Sequence, residues 1–281
     1  MIPLIWHLVS DSACDLHTLD GGEGRLDFTT IPFSIRIGGK EYIDDEQIPL
    51  AEMLEANETH AEMAQTACPS PGDWRGKFSA PGPVIAFTIS SALSGSYNSA
   101  CAGRTMMLEE EPGKQIAVID SKATGPEEAM LVRKARDLIL QGIPFDEIEK
   151  ELNAAAERIH TSFALTSYHN LIKNGRVSRL KGFIAGHLGF WGIGIGDENG
   201  EIAIRGKARG SKSMIRFLTE EIEKVGIAGK QIVISHCRNI KDALALKAAL
   251  EALRPGIEVL VQQARGLDSF YAERSGLIVG Y

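Results

Sequence analysis

The segment VIAFTISSALSGSYNSACAGRTMML, residues 84–108, decides the fold class. It begins with the β-rich apolar run Val84–Ile89, passes through a serine-rich loop and continues as a helical pattern over Gly95–Leu108. A strand that leads through a short polar loop into a helix is the repeating unit of a parallel sheet covered by helices.

The same unit recurs on either side of this segment. β-rich runs at Leu4–Val9, Ile31–Ile37 and Ile116–Ile119 predict further strands. Apolar residues at three-to-four spacing predict helices at Leu50–Asn57, Ser70–Phe78, Pro126–Leu140 and Phe145–Ile159. The first half is therefore expected to form a Rossmann-like parallel sheet with helices on both faces.

The pattern changes after the helix predicted at Phe145–Ile159. Asn199-Gly200 is a strong hairpin signal, because asparagine followed by glycine accepts positive φ angles. The glycines of Gly192–Gly196 indicate close strand packing. Helices are expected at Ser211–Val225 and Ile240–Leu253, and strands at Ser162–Thr166, Gly189–Ile195, Glu201–Arg205, Gln231–Ser235 and Ile257–Gln262. We predict two α/β domains, residues 1–158 and residues 159–281, the second a mixed domain with antiparallel strands.

Composition excludes several classes of protein. The 281 residues are 44% hydrophobic and 24% charged, which is typical of a globular protein. A net charge of -7 and a pI of about 5.6 argue against a nucleic-acid partner, which requires a broad basic surface. The sequence has no helix-turn-helix signal, which argues against a transcription regulator.

The termini and cysteines bear on location. Residues 1–10 lack the features of a secretory signal, and no uncharged apolar run approaches the ~18 residues of a membrane span. The four cysteines are far apart and form no Cys-x-x-Cys pair, so neither a disulfide framework nor a metal site is indicated. We expect a cytoplasmic protein.

Three hydroxyl-rich segments adjoin the predicted strands: Ser10–Ser12, Thr66–Ser70 and Ser90–Ser96. Ligands of open α/β sheets bind at the carboxyl ends of the strands, and free N–H groups at helix starts attract anions. The segments therefore predict an anion site. Serine at such junctions is also a common helix cap, and capping is the favoured interpretation for Ser12 and Ser70.

Ser94 admits three interpretations: a helix cap, a ligand contact or a nucleophile. The nucleophile lacks a Gly-x-Ser-x-Gly frame, and the histidines of the second half could reach it only through the fold. No nucleotide-binding glycine motif is present, so no cofactor is expected. The basic segments 174–179 and 205–212 are either solvated or dock an acidic partner or a phosphorylated ligand.

Taken together, these segments resemble the DegV family, the fatty-acid-binding proteins that act as the lipid-carrying subunit of bacterial fatty acid kinase. The resemblance runs in order over nearly the whole chain. It is carried by Ser10–Leu16, Ile31–Phe33, Gly39–Asp44, Thr66–Asp73, Ile89–Ala100, Val118–Ser121, Gly175–Ser178 and Lys207–Gly210, with the serine-rich segment before Gly95 the most specific.

The resemblance implies a buried long-chain fatty acid whose carboxylate is held by Thr66 and Ser94, with Gly95 and Ser12 beside them. It implies that the protein is not itself an enzyme but presents the acid to a separate ATP-dependent kinase, for which Arg209 looks like a contact. A transient membrane contact is a further expectation. The candidates for lining the tunnel are Phe163, Leu165, Phe183, Leu188, Phe190 and Trp191, although an ordinary core position is the favoured interpretation for each one taken separately.

Three positions depart from the family pattern. Ala67 replaces a serine, and Asn174 replaces a glycine. The His-Gly-Pro-Gly type motif near the C-terminus is missing, and Phe270–Gly276 stands in that region. Two interpretations stay open: either Tyr271 makes the third contact to the ligand headgroup, or the ligand differs from that of the family. The alternative function is a serine-dependent esterase or transferase that uses Ser94.

Overall fold

The computed structural model describes residues 5–60, 64–177, 189–227 and 229–281. In chain order its strands are β1 (Trp6–Asp11), β2 (Leu26–Ile31), β3 (Ser34–Ile37), β4 (Lys40–Ile43), β5 (Gln65–Ala67), β6 (Val84–Thr88), β7 (Ile116–Asp120), β8 (Thr161–Leu165), β9 (Phe190–Gly196), β10 (Ile202–Arg209), β11 (Gln231–His236), β12 (Glu258–Gln263) and β13 (Leu277–Gly280). Its helices are α1 (Leu50–Thr59), α2 (Pro71–Phe78), α3 (Ser96–Glu110), α4 (Pro126–Leu140), α5 (Phe145–Ala156), α6 (His169–Lys173), α7 (Gly210–Val225), α8 (Ile240–Leu253) and α9 (Gly266–Ala272).

The first half forms a parallel four-stranded sheet in the order β2-β1-β6-β7. Because side chains alternate along a strand, β6 supplies both faces of this sheet. Ile85 and Phe87 pack against α4 and α5, whereas Val84 and Ala86 pack against α2 and α3. The predicted parallel sheet with helices on both faces is confirmed.

The second half forms a six-stranded sheet in the order β10-β9-β8-β13-β11-β12. Only β11 and β12 pair in parallel, so the predicted mixed sheet with antiparallel strands is also confirmed. Helices α7 and α8 cover one face. The opposite face packs against α1, α9 and a small antiparallel sheet of β4, β3 and β5.

The single strand predicted at Ile31–Ile37 is wrong. The chain leaves the parallel sheet at Ile31 and enters the small antiparallel sheet at Ser34. Pro32 has no N–H to donate to a ladder, which favours a break at this point. Strand β2 before Ile31, strands β4, β5 and β13, and helices α6 and α9 were not predicted, because short segments carry too little periodicity to be distinguished from loops.

Several local predictions are confirmed. Helices α4 and α8 have the predicted limits. Ser70 caps α2 in a reciprocal capping box with Asp73. The hairpin between β9 and β10 turns through Gly200, whose φ is 75°. This turn contacts the first half of the chain, since Ser90 Oγ donates to the Gly200 carbonyl at 2.9 Å.

Candidate functional site

A cavity lies between the carboxyl edge of the parallel sheet and the face of the six-stranded sheet that is turned away from α7 and α8. Its walls come from the loops after β6 and β7 and from β5, β8, α9 and the β9–β10 hairpin. The space measures about 810 Å³, including the part that opens to solvent.

One part of the cavity wall is polar. Thr66 on β5 and Tyr271 on α9 both line the cavity, and their side-chain oxygens are 2.9 Å apart in a hydrogen bond. Burial raises the pKa of Tyr271, although the Thr66 hydrogen bond and the charge of Arg176 oppose this effect. Tyr271 is therefore a neutral hydroxyl that can donate a hydrogen bond to an anion.

Ser94 and Arg176 line the same cavity. Ser94 follows β6, and its Oγ accepts a bond from the Ser96 N–H at 3.3 Å. Arg176 follows α6, and its Nε donates to the carbonyl of Leu93, next to Ser94, at 2.9 Å. Burial raises the pKa of the half-buried Cys68 thiol, whereas Ser94 and the charge of Arg176 lower it. The structure thus brings a cation and several hydroxyls to one region.

The remaining walls are mainly apolar. Phe163 and Leu165 project from β8 into the cavity, as the sequence predicted, and Ile278 projects from the neighbouring strand β13. Glycines of β9 lie opposite β8 on this face, with Gly194 paired with Phe163. A Cβ at Gly194 would lie 2.3 Å from the Phe163 ring, so glycine is required for the ring to lie close to the sheet.

Two predicted tunnel residues do not line the cavity. Trp191 packs on the α7 and α8 side of the six-stranded sheet, because its side chain points to the opposite face from Gly192 and Gly194. Phe190 is also absent from the described walls of the cavity. Phe183 and Leu188 lie outside the described residues.

Ser12 and Gly95 lie near the site rather than on its described walls. Ser12 is fully buried and caps no helix, and its Oγ accepts the N–H of Phe33 at 2.9 Å. Phe33 is itself part of the cavity wall. Gly95 precedes α3, with Cys68 Sγ 3.7 Å from the position that a Cβ would take. Both residues support neighbours of the cavity.

Arg209 is exposed at the end of the edge strand β10, away from the cavity walls that are described. Its guanidinium carbon lies 5.7 Å from the centre of the Phe190 ring, a cation–π distance. The residue is therefore available to a partner and does not contact the enclosed space.

Carboxyl groups are buried beside the cavity. Asp268 lines it and accepts a bond from Thr124 Oγ1 at 2.7 Å. The other oxygen of Asp268 and one oxygen of Asp15 approach the same point beside Gly125. Burial and the charge of Asp15 raise the pKa of Asp268 well above its ordinary value, so Asp268 holds its proton more firmly than an exposed aspartate does.

Other chemistries find little support among the residues that the structure describes. No histidine there is hydrogen-bonded to Ser94, so the nucleophile interpretation has no paired base. No three His, Cys, Asp or Glu side chains in the same ranges are grouped to hold a metal ion. Across the described part of the chain, no helix is both long and apolar enough to cross a bilayer.

Comparison with known proteins identifies the family. The model described as "Uncharacterised protein, DegV family" matches residues 6–265. The chain belongs to the DegV family. A DegV domain-containing protein of Streptococcus pneumoniae, spr0652, is 35% identical over 278 residues, which cover 99% of both chains. A relative from Streptococcus pyogenes serotype M1 is 34% identical over the same length.

Solved structures of DegV relatives superpose closely on this chain. The Streptococcus pneumoniae fatty acid kinase (Fak) B3 protein, loaded with linoleic acid, has a TM-score of 0.95 at 35% identity, with 99% of each chain covered. A DegV family protein from Eubacterium eligens, loaded with heptadecanoic acid, has a TM-score of 0.93 at 34% identity, with 98% of each chain covered. A third, from Ruminococcus gnavus and refined with vaccenic acid, has a TM-score of 0.91 at 27% identity, with 98% of this chain and 99% of that chain covered.

Sequence reasoning missed part of the polar region. Arg176 belonged to a basic segment for which a solvated surface and a ligand contact both stayed open. Its place in the cavity depends on α6, a five-residue helix that the sequence did not predict. The Gly175-Arg176 motif within the family resemblance was the available signal.

Proposed function

We propose that this DegV protein binds a long-chain fatty acid in the cavity and presents it to a separate ATP-dependent fatty acid kinase. The observation that carries the proposal is a cavity with mainly apolar walls and a polar region formed by Thr66, Ser94, Arg176 and Tyr271. The fatty acids bound by relatives of the same fold support this choice of ligand.

The energetics of an acyl ligand suit this cavity. Each buried methylene contributes about 0.8 kcal/mol, so a 16-carbon chain gains roughly 10 kcal/mol before association costs are subtracted. A buried carboxylate loses much of that gain unless it is hydrogen-bonded. The hydroxyls and the guanidinium of the polar region provide those bonds. The acyl chain of the ligand therefore supplies most of the affinity, and the polar region determines which end of the cavity the carboxylate occupies.

Kinase chemistry belongs to the partner in this proposal, and the chain itself is not catalytic. Arg209 is the proposed contact, because it is exposed on an edge strand in an otherwise acidic protein. Arg209→Ala should reduce acyl phosphate formation with a fatty acid kinase catalytic subunit and ATP, without changing fatty acid affinity.

The four cysteines are free thiols, which suits the proposed cytoplasmic location.

Lipid extraction tests the proposed ligand. We expect mass spectrometry of the purified protein to detect co-purifying fatty acid and added linoleic acid to bind. The double variant Thr66→Val/Ser94→Ala should bind at least tenfold more weakly, since two hydroxyl bonds of about 1 kcal/mol each are lost. Thr105→Val, on the exposed face of α3, is the matched control. No acyl species and no binding of added acid would disprove the proposal.

A further inference from the structure

The turn after α9 places a non-glycine residue in a strained backbone conformation. Glu273 has a φ of 54° and a ψ of -178°, a combination that glycine adopts almost alone. Such a conformation is unfavourable for a residue with a side chain and persists only where surrounding contacts hold it. Ser275, two residues later, also has a positive φ of 79°.

The side chain of Glu273 makes contacts that hold this turn. Its Oε1 accepts a hydrogen bond from Ser167 Oγ at 2.9 Å and another from the Asn170 N–H at 3.2 Å. Burial raises the pKa of the Glu273 carboxyl, and these bonds oppose that shift. Asn170 Nδ2 also donates to the Phe270 carbonyl at 2.7 Å. Glu273 and Asn170 therefore fasten α6 to α9.

Helices α6 and α9 carry two of the polar groups in the cavity. Tyr271 is on α9, two residues before Glu273, and bonds to Thr66. Arg176 lies three residues after the end of α6, and its backbone N–H donates to the carbonyl of Leu171 in that helix at 2.8 Å. A displacement of α6 relative to α9 would therefore change the distance between the guanidinium and the phenol.

We propose that Glu273 is a positioning residue for the polar region of the cavity: by fastening α6 to α9, its carboxylate sets Tyr271 and Arg176 at the spacing that one ligand carboxylate requires. The inference rests on the proposed fatty-acid-binding function. Glu273 is not among the described residues that line the cavity, so it acts through Tyr271 and Arg176 rather than by touching the ligand.

Three substitutions separate the hydrogen bonds of Glu273 from its backbone strain. Glu273→Gln keeps an acceptor oxygen and should bind linoleic acid within about threefold of wild type. Glu273→Gly relieves the strained φ but removes both bonds, so it should bind about tenfold more weakly while its melting temperature stays close to that of wild type. Ser275→Gly relieves the second positive φ and is the matched control with unchanged affinity.

A second ligand distinguishes positioning from general loosening. Linoleyl alcohol has the same chain without the carboxylate, so Glu273→Gly should lose affinity for the acid but much less for the alcohol. Equal losses for both would overturn the proposal, as would a tenfold loss in Glu273→Gln.

Crystals without ligand give an independent measurement. The distance between the Arg176 guanidinium and the Tyr271 hydroxyl should increase in Glu273→Gly and stay as in wild type in Ser275→Gly. An unchanged distance in Glu273→Gly would overturn the inference. If the wild-type protein bound neither probe, the proposed function would fail, and this distance would still decide the role of Glu273.

Discussion

Tyr271 lies in the C-terminal region where the family resemblance led us to expect a histidine motif, and it brings a phenol to the cavity. Burial raises its pKa, so the hydroxyl keeps its proton at physiological pH. It bonds to Thr66 and stands in the same cavity as Arg176, which carries a fixed positive charge. In the proposed site the phenol therefore contributes a directional hydrogen bond to the carboxylate, and the guanidinium contributes a positive charge.

Removing the Tyr271 hydroxyl tests its part in the site. Tyr271→Phe should raise the dissociation constant for linoleic acid about five- to tenfold, because one hydrogen bond of ~1 kcal/mol is lost. Isothermal titration calorimetry gives this value. Tyr42→Phe is the control, since Tyr42 bonds to Glu52 away from the described cavity walls. Equal affinity in Tyr271→Phe and wild type would place the carboxylate elsewhere.

Residue types alone predicted only a hydroxyl-rich anion site, and the family resemblance assigned Thr66, Ser94 and Tyr271 to a carboxylate. The structure places all three on one cavity, but their role as ligand contacts stays a prediction. The position of Arg176 could not be predicted from the residues, because it depends on contacts between α6 and the loop at Leu93.

At the scale of elements, β9 shows how glycine creates space. Gly192, Gly194 and Gly196 alternate with Trp191, Ile193 and Ile195, so one face of the strand is bulky and the other is bare. The bulky face packs in the core under α7 and α8. The bare face lies on the cavity side, where Gly194 lets the Phe163 ring approach the backbone.

A side chain added to this bare face of β9 should lower both the stability of the fold and the affinity for fatty acid. In Gly194→Ala the new methyl would lie 2.3 Å from Phe163 and 2.8 Å from the Ala203 carbonyl. We expect a destabilisation of about 1–3 kcal/mol and weaker binding of fatty acid as Phe163 moves into the cavity.

A second glycine on the same face provides the control for this prediction. In Gly196→Ala the nearest atoms belong to Thr161 at 3.4 Å, so its effect on stability should be clearly smaller. Urea unfolding and linoleic acid titration compare the two variants. Equal stability of both would show that the contact with Phe163 is not close in solution.

Long periodic elements could be predicted at this scale, whereas sheet membership could not. Helices α4 and α8 were predicted to the residue because each combines apolar periodicity with a clear start. The chain at Pro32 was predicted to continue in one strand but changes sheets there. Strand β13 was missed although it lies between β8 and β11, since its partners are distant in sequence.

At the scale of the whole molecule, buried carboxyls lie where the two halves of the chain meet. Burial raises the pKa of Asp11 to about 7 and that of Glu127 to about 8. Burial raises the pKa of Asp15 to about 6. All three values exceed the ordinary values of 3.8 for Asp and 4.5 for Glu.

These shifts predict that the protein loses stability in mild alkali. A raised carboxyl pKa means that the folded state binds more protons than the unfolded state. The contribution is complete below about pH 4 and is lost as pH rises through about 6, 7 and 8 for Asp15, Asp11 and Glu127. We expect the free energy of unfolding to fall by at least ~2 kcal/mol between pH 6 and pH 9.

Denaturant titrations at several pH values measure this loss. Glu127→Gln removes the ionisation at the site with the highest of the three values, so its decline between pH 6 and pH 9 should be shallower than that of wild type. Exposed Glu198→Gln serves as the control and should follow the wild-type curve. A wild-type stability that is constant over this range would contradict the prediction.

Sequence by itself determined the two kinds of sheet, most helices and the hydroxyl-rich segments at the strand ends, because these depend on periodicity and local turn chemistry. The division at residue 158 stays a prediction. Only the tertiary structure decided that Arg176, Tyr271 and Thr66 share one cavity, that Trp191 faces away from it and that Glu273 is held in a glycine-like conformation. These features depend on contacts between segments far apart in the chain, and no local pattern records such contacts.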